Sequence, residues 1–557
     1  MYKLAAYTLR DLLLQSAQRY NHLPAVAFLD RQPVSYLHLA TGAANLARHL
    51  RESGLHPGDK VALLSENRPE WPAAYFGIAA SSHVVVPILI DFTPEQIAGI
   101  IEHAECKAVV LSEKLKQKMA GIALPGEFAL ERIFQGLPLA DCTDPGCLEK
   151  LSEFFPPLSE DQLAVIIYTS GTTGHSKGVM LTHKNLVWNA WCTRSIIRLR
   201  RNDRLLSLLP LAHTYECTIG MINPLMQGSF ISYLDKPPAV SVLLPALKSL
   251  RPSVILSVPM IMEKIYRNSV KPKLEAMKAY AIPTLRPLLH WLAGLKLKKT
   301  FGGKIRFFGI GGAGLAPDVE RFLIDAHFAY AIGYGLTETA PLLAGCAPHH
   351  TALGSTGPAL RNVSLRIADP DPVTGDGEIQ AQGANIMLGY YKNPAATAEV
   401  FTTDGWFRTG DLGHFDSKSQ LYIRGRLKAL ILSASGENIY PEEIESLLNA
   451  DNSVAESLVY HDGEGLHALV SLKPEIIEHM GAAITDRWED ANELLENIRK
   501  SVNAKLAAFS RLAKVKLHLE PFEKTPSQKI KRFMYQTPTG HNQSGDPGSK
   551  ATAQPAK

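Results

Sequence analysis

The segment that decides the fold is Ile166–Val179, IIYTSGTTGHSKGV. Apolar residues typical of a buried strand lead directly into three glycines, five Ser or Thr hydroxyls and one lysine. Glycines let backbone N–H groups approach an anion, hydroxyls add donors, and lysine adds charge. The segment therefore predicts a phosphate-binding loop, with these candidate residues: Thr169, Ser170, Gly171, Thr172, Thr173, Gly174 and Lys177. Its spacing differs from Gly-x-x-x-x-Gly-Lys-[Ser/Thr], and a flexible surface turn is the alternative.

Strands and helices alternate before this loop. Val61–Leu64, Val84–Ile88 and Val109–Leu111 have the pattern of buried strands, and Trp71–Ala80 and Pro94–His103 that of helices between them. Continuous apolar strands separated by helices are typical of a parallel sheet covered on both faces. The same alternation returns over residues 160–335, so the predicted fold class is α/β, with two doubly wound β/α subdomains.

The composition and the secondary-structure pattern of the sequence change near residue 352. Residues 352–425 are rich in Gly and Pro and contain short strand patterns, which indicates a small β subdomain. After Lys428 a smaller α+β pattern follows. We therefore expect an N-terminal domain over 1–427, a C-terminal domain over 428–536 and a disordered polar tail over 537–557.

Composition excludes several classes of protein. The chain has 557 residues, of which 46% are hydrophobic, and a net charge of +4, which gives no reason to expect a nucleic-acid partner. Six scattered cysteines indicate free thiols in a reducing compartment. The N-terminus is interrupted by charge, and the most apolar stretch, Phe76–Ile90, is shorter than the ~20 residues that span a bilayer. We expect a cytoplasmic protein.

Two further glycine-rich segments are candidates for nucleotide contacts. Gly309–Gly314, GIGGAG, matches Gly-x-Gly-x-x-Gly, so a nicotinamide-binding fingerprint is one interpretation. The other, which we favour because Pro317 follows so soon, is a tight turn that leaves room for a flat base. Gly333–Thr339, GYGLTET, offers Tyr334 for stacking and Glu338 for Mg²⁺. The alternative is a plain glycine-rich turn.

Polar segments later in the chain complete the set. Asp404–Asp411, DGWFRTGD, ends in a carboxylate that can accept both hydroxyls of a ribose, although a hairpin turn would have a similar sequence. Lys524–Arg532, KTPSQKIKR, taken alone would be a solvated basic face. Between them lie Gly425–Lys428 and Ser435–Pro441.

In this order and spacing, the segments resemble those of the adenylate-forming superfamily, which includes acyl-CoA synthetases, peptide-synthetase adenylation domains and beetle luciferase. The resemblance covers residues 8–536 and is strongest to bacterial long-chain fatty acid–CoA ligases. It implies that the small β subdomain is a β-barrel and that the C-terminal domain is mobile. It also implies ATP, Mg²⁺ and coenzyme A as ligands, and a fatty acid that is converted through acyl-AMP to acyl-CoA.

The resemblance also implies roles for individual residues. The nucleotide site comprises Thr169–Lys177 at the β- and γ-phosphates, Gly312, Ala313 and Tyr334 around the adenine, Thr337 at the α-phosphate, and Asp411 with Arg426 at the ribose, and it also includes Gly335. Glu338, with Thr169, holds Mg²⁺. The remaining roles are Lys529 as the catalytic lysine, Lys428 as the hinge, Gly436 beside the thiol channel, and His213 between that channel and the acyl pocket.

One observation bears on the identity of the acid, and another bears on where the protein works. Amino-acid-activating relatives place an Asp near the His213 stretch, whereas here only Glu216 follows, which favours an apolar tail. Residues 264–306 carry eleven basic residues and one acidic residue among leucines, so they either contact a membrane peripherally or form a solvated helix. The alternatives to a fatty acid–CoA ligase are loading of a carrier protein, ligation of an aryl or short-chain acid, and an inactive nucleotide-binding protein.

Overall fold

The chain forms two units that follow one another in the sequence. The computed structural model describes residues 4–122, 126–135, 146–169, 177–432, 438–463, 465–479, 488–525 and 529–535. The first unit ends at Lys428, and the second begins at Ala429 and includes Lys529. A hinge at Lys428 stays a prediction, and the tail predicted over 537–557 lies outside the described residues.

The strands of the described residues are β1 (Pro24–Phe28), β2 (Val34–Ser35), β3 (Lys60–Leu64), β4 (Val84–Ile88), β5 (Cys106–Leu111), β6 (Glu127–Ala129), β7 (Leu163–Thr169), β8 (Lys177–Thr182), β9 (Arg204–Leu206), β10 (Phe230–Tyr233), β11 (Val254–Ser257), β12 (Phe307–Ile310), β13 (Tyr330–Gly335), β14 (Leu342–Gly345), β15 (Ser364–Ala368), β16 (Gly377–Gln382), β17 (Gly389–Tyr390), β18 (Phe407–Phe415), β19 (Leu421–Arg426), β20 (Ile431–Leu432), β21 (Asn438–Ile439), β22 (Val454–His461), β23 (Leu466–Leu472) and β24 (Lys514–Leu517).

The α-helices of the same residues are α1 (Leu9–Tyr20), α2 (Tyr36–Glu52), α3 (Glu70–Ala80), α4 (Pro94–Ala104), α5 (Gly146–Ser152), α6 (His183–Cys192), α7 (Asn223–Gln227), α8 (Val240–Leu250), α9 (Pro259–Ile265), α10 (Lys271–Glu275), α11 (Arg286–Thr300), α12 (Pro317–Asp325), α13 (Pro394–Glu399), α14 (Pro441–Asn449), α15 (Pro474–His479) and α16 (Trp488–Asn503). None of them is long and apolar enough to cross a bilayer.

Two large sheets form the core of the first unit. One has the order β14-β13-β12-β11-β9-β10-β1-β2, and the other has the order β17-β8-β7-β4-β3-β5-β6. Most of their strands pair in parallel, as between β3 and β4 or β11 and β12. Antiparallel pairs occur at β1–β2 and β13–β14 in the first sheet and at β7–β8 and β8–β17 in the second, whose other edge strand, β6, is parallel to β5. The strands are apolar because both faces are covered; every residue of β4 is buried. The predicted α/β fold is confirmed.

Local sequence fixes the ends of several helices. Thr93 and Gln96 form a capping box at the start of α4, and Thr182 and Asn185 form another at the start of α6. Asn503 ends α16, because its side chain bonds both the N–H and the C=O of Leu512. The helix predicted over Asp490–Ala508 is therefore shorter at its C-terminus than the apolar periodicity indicates.

The expected β subdomain contains an antiparallel sheet of order β15-β16-β18-β19. Gly357 adds an antiparallel bridge to Leu421 at the start of β19. Closure of this region into a barrel stays a prediction. The second unit contains the three-stranded sheet β22-β23-β24 and the short pair β20-β21. Its core is apolar and includes Leu448, Val470 and Ile498.

Candidate active site

The predicted phosphate loop leaves and re-enters one sheet between adjacent strands. Thr169 ends β7 and pairs with Lys177 at the start of antiparallel β8. The Thr169 hydroxyl donates to the Lys177 carbonyl at 3.5 Å. Between these anchors lie the other predicted residues, Ser170, Gly171, Thr172, Thr173 and Gly174, which are outside the described residues. The structure thus fixes the two ends of the loop.

A glutamate, a tyrosine and a lysine meet beside this sheet edge. Strand β17 pairs with β8 and sets Tyr390 opposite Val179. The Tyr390 hydroxyl donates to Oε1 of Glu338 at 2.9 Å, and Nζ of Lys177 lies 4.8 Å from the centre of the Tyr390 ring. Burial, and then the charge of Glu338, raise the pKa of Tyr390, so its phenol remains a hydrogen-bond donor at neutral pH. Tyr390 links the predicted metal residue to the predicted phosphate lysine.

A second polar cluster forms around Asp411. Strand pairing sets Asp411 of β18 opposite Arg426 of β19, and Arg426 Nε lies 2.8 Å from Asp411 Oδ1. The Tyr334 hydroxyl donates to Asp411 Oδ2 at 2.8 Å. Asp411 and Tyr334 are both buried, and burial followed by the charge of Asp411 raises the pKa of Tyr334. The structure therefore brings three predicted nucleotide residues into direct contact.

Glycines leave space beside Tyr215 in β12 and in the turn that follows it. A Cβ at Gly309 would lie 2.9 Å from the Tyr215 hydroxyl oxygen, and one at Gly311 would lie 3.1 Å from its ring. Gly312 has φ +92°, and both Gly312 and Ala313 are exposed. Helix α12 does not begin until Pro317, whereas the dinucleotide fingerprint opens a helix within the turn. The geometry favours the tight turn over the nicotinamide interpretation.

The turn that carries Thr337 and Glu338 is closely packed. A Cβ at Gly335 would lie 1.8 Å from the Pro341 carbonyl oxygen, so no other residue is accommodated. Thr337 and Glu338 follow in a single 3₁₀ turn, Thr337–Thr339. The Met387 N–H donates to the Glu338 carbonyl at 2.9 Å. Both ends of this contact are backbone groups, so the position of Glu338 is set by the chain as well as by Tyr390.

A buried glutamate lies behind the His213 segment. The His213 N–H donates to the Pro210 carbonyl at 2.9 Å, and Glu216 begins a π-helix, Glu216–Ile222. The Ser207 hydroxyl donates to Glu216 at 2.6 Å and accepts from the Asn67 amide at 3.1 Å. Burial raises the pKa of Glu216 to about 8. Glu216 is therefore uncharged at neutral pH.

The Asn67 amide also bonds the backbone of the segment that leads to His213. It donates to the Leu209 carbonyl at 2.6 Å, and its oxygen accepts from the Leu211 N–H at 2.8 Å. Asn67, Ser207 and Glu216 thus hold the backbone just before His213. Sequence reasoning missed these contacts, because residues separated by about 140 positions meet only in the folded chain.

The predicted hinge residue, catalytic lysine and thiol-channel glycine lie later in the chain. Lys428, the last residue of the first unit, is exposed. Lys529 belongs to the second unit, is exposed, and its N–H donates to Thr525 Oγ1 at 3.2 Å. Gly436 lies outside the described residues. The Lys529 role stays a prediction.

The residues of the first unit fit a magnesium nucleotide. Among the described residues there is no cluster of three or more His, Cys, Asp or Glu side chains suited to a metal. Mg²⁺ needs no such cage, because it is usually bound by one or two carboxylates together with substrate phosphates and water. Glu338 would supply one carboxylate and Lys177 would supply a cation. The Asp411 cluster would supply donors and acceptors of the kind that a ribose requires.

A family model described as "AMP-binding enzyme" matches residues 13–391. The chain belongs to this family. The long-chain-fatty-acid–CoA ligase FadD15 of Mycobacterium bovis is 31% identical over 86% of each chain. The peroxisomal long chain acyl-CoA synthetase 6 of Arabidopsis thaliana is 30% identical over 90% of this chain and 80% of its own. ATP-bound MatB from Rhodopseudomonas palustris has a TM-score of 0.74 and 26% identity, and the match covers 95% of this chain and 98% of that one.

Membership in the family confirms the predicted resemblance and the enzyme class. The chain is an AMP-forming ligase by homology over most of its length. The matched solved structure also extends over both units of this chain, which agrees with an α/β enzyme of this type. The roles of single residues are not decided by these likenesses.

Proposed function

We propose that this protein activates a fatty acid as acyl-AMP and transfers the acyl group to coenzyme A. A carboxylate is a poor acyl donor because its leaving group would be oxide. Attack of the carboxylate oxygen on the α-phosphorus of ATP forms an acyl–O–P bond and expels pyrophosphate. The thiol then attacks the acyl carbonyl, and AMP leaves. Long-chain fatty acid–CoA ligases among the relatives support this choice of acid and acceptor.

The observation that carries the proposal is the pair of clusters around Asp411 and Glu338. Asp411 would accept the ribose hydroxyls, with Arg426 and Tyr334 holding its carboxylate. Thr337 would contact the α-phosphate. Lys177 and the loop that precedes it would contact the β- and γ-phosphates. Bound Mg²⁺ would be held by Glu338, with Thr169, and would neutralise phosphate charge. Preorganised cations of this kind stabilise the charge that develops in phosphoryl transfer.

The buried Glu216 supports an apolar acid. An amino acid substrate needs an anion to pair with its ammonium group, and Glu216 is the acidic residue that follows His213. Because its pKa is raised to about 8, Glu216 is neutral at pH 7 and offers no such anion. We place His213 between the acyl pocket and the thiol channel.

The second half-reaction requires a rearrangement. We propose that the unit beginning at Ala429 turns about Lys428, so that Lys529 serves adenylation and the Gly436 segment serves thioester formation. The proposed domains are 1–427 and 428–536. Closures of this kind also exclude the water that would hydrolyse an adenylate.

The partition of its substrate bears on where the enzyme works. Fatty acids concentrate in bilayers, and we propose a cytoplasmic enzyme that contacts the inner face of a membrane peripherally. Residues 264–306 are the candidate segment.

The test is a panel of acids from acetate to palmitate, with an aryl acid, supplied with Mg·ATP and with or without coenzyme A. Production of AMP, pyrophosphate and acyl-CoA from medium or long acids is expected. Lys177→Met should lose most activity, whereas Lys184→Met, a control that breaks only the ion pairs with Glu160 and Asp161, should not. Preference for short or aryl acids, or release of AMP and pyrophosphate without acyl-CoA when coenzyme A is present, would replace the proposal, and no AMP from any acid would refute it.

A further inference from the structure

Helix α11 exposes large apolar side chains on its outer face. Leu288, Trp291, Leu292 and Leu295 are 54%, 41%, 48% and 48% exposed. Their spacing of three and four residues places them on one side of the helix. We call these four residues the α11 apolar face. Scattered exposed leucines are ordinary, but a contiguous group of this kind marks an interaction surface.

The inner side of the same helix is fixed. Gly294 packs so tightly that a Cβ there would lie 2.7 Å from the Ala326 Cβ and carbonyl oxygen. His290 Nδ1 lies 2.9 Å from Asp325 Oδ2, and its Nε2 lies 3.1 Å from the Tyr280 hydroxyl. Leu289 and Leu297 are buried in the core. These contacts set the rotation of α11, so the apolar face cannot turn inward.

The chain before α11 extends this surface. Met277, Ile282 and Leu285 are 45%, 49% and 37% exposed, and they lie in or directly beside the two short 3₁₀ turns that lead into the helix. Exposed apolar side chains therefore continue over the approach to α11 as well as the helix itself.

The surroundings of the apolar face are strongly basic. Eight of the eleven Lys and Arg residues of 264–306 are exposed, including Lys296, Lys298 and Lys299 on α11. Within the described part of the chain, the side-chain ion pairs of these basic residues are Arg267–Asp318, Lys271–Glu275 and Arg306–Asp203. None of the eight exposed residues takes part in them.

We propose that the α11 apolar face lies on the surface of an anionic lipid bilayer. The leucines and Trp291 would enter the boundary between headgroups and acyl chains, a position that suits tryptophan, and the lysines would contact lipid phosphates. Charge complementarity decides between occupants. In a symmetric dimer the same patch of both copies would meet, and basic residues would face basic residues. The choice of a bilayer as the partner rests on the proposed function, because a fatty acid substrate partitions into bilayers.

The experiment is sedimentation of the full chain with vesicles, without substrates. The vesicles are phosphatidylcholine alone, or phosphatidylcholine with an equal amount of phosphatidylglycerol. We expect binding to the anionic vesicles, weakened by salt. The double variant Leu288→Ser with Leu292→Ser should bind the anionic vesicles at least ten-fold more weakly. The double variant Lys296→Gln with Lys299→Gln should lose roughly five-fold in affinity for each lysine removed.

Matched controls separate the surface from general effects. Val373→Ser with Leu519→Ser removes two apolar side chains that are 91% and 50% exposed elsewhere, and should bind like the wild type. All variants should keep the wild-type rate on octanoate in free solution, which shows that they are folded and that the chemistry is intact.

Each outcome has a definite meaning. A wild-type chain that ignores anionic vesicles, or a leucine variant that binds as the wild type does, overturns the proposal. A wild-type dimer by light scattering that the leucine substitutions convert to monomer, without vesicle binding, assigns the face to a second copy instead. Vesicle binding by a chain that activates no acid would support this surface and refute the proposed function separately.

Discussion

Tyr390→Phe removes one hydroxyl that joins two elements of the candidate active site. That hydroxyl donates to Glu338 at 2.9 Å, while the ring lies 4.8 Å from Lys177 Nζ. Phenylalanine keeps the ring, so the contact with the lysine survives. The substitution thus isolates the hydrogen bond that orients the proposed magnesium carboxylate.

The expected effect follows from the kind of bond lost. A hydrogen bond to a charged group contributes about 1.5–3 kcal/mol, and removing a residue that orients a metal ligand typically weakens metal affinity about 10–100-fold. The Glu338 backbone is held separately, because its carbonyl accepts from the Met387 N–H. The carboxylate therefore stays near its position when the Tyr390 hydroxyl is removed. We therefore expect the Mg²⁺ concentration at half-maximal rate to rise about ten-fold or more, with a smaller change in the rate at saturating Mg²⁺.

The assay is pyrophosphate release at fixed ATP and fatty acid over a series of Mg²⁺ concentrations. Tyr391→Phe is a matched control, because Tyr391 also donates to a glutamate, at 3.1 Å, but that glutamate is the half-exposed Glu105. The control should titrate like the wild type. An unchanged Mg²⁺ midpoint in Tyr390→Phe, or an equal shift in Tyr391→Phe, would refute the assignment of Glu338.

Three other substitutions test separate parts of the account. Asp411→Asn should lower kcat/KM for ATP by about 10–150-fold, from the 1.5–3 kcal/mol of a charged hydrogen bond, and an unchanged value in steady-state kinetics would remove Asp411 from the ribose site. Glu216→Gln should alter the pH dependence of stability. The native pKa of Glu216 is about 8 against an ordinary 4.5, so its contribution is complete below pH 4.5 and is lost as pH rises towards 8. Urea unfolding should show this slope, up to about 1.4 kcal/mol per pH unit, in the wild type and not in the variant. Lys529→Ala should abolish adenylation but spare thioester formation from supplied acyl-AMP, and equal loss of both half-reactions would contradict the two-state cycle.

Local patterns predicted the elements that depend on local chemistry. Strands β3 to β5 and helices α3 and α4 follow from continuous apolar runs and capping residues, and their bounds differ from the prediction by at most three residues. Two separate motifs, Gly333–Thr339 and Asp404–Asp411, identified residues that the structure places 2.8 Å apart. Each element and each motif was recognisable within its own short stretch of chain, although the contact between the two motifs was not.

Long-range pairing accounts for what the sequence could not provide. Tyr390 reaches Glu338 because β17 joins the sheet of β8, although it follows the β16 strand of another sheet in the chain. Gly and Pro frequency predicted short strands over 352–425, but it contains no information on the order in which those strands pair. The sequence likewise does not show which side of α11 faces outward, because that depends on the packing of Gly294 against Ala326.

The central claim is that the substrate carboxylate attacks the α-phosphorus of ATP. The most direct measurement uses palmitate labelled with ¹⁸O in both carboxylate oxygens, with Mg·ATP and coenzyme A, and mass analysis of the nucleotide product. One labelled oxygen in AMP, with unlabelled pyrophosphate, is the predicted result. Formation of ADP with the label in inorganic phosphate, or AMP free of label, would contradict it.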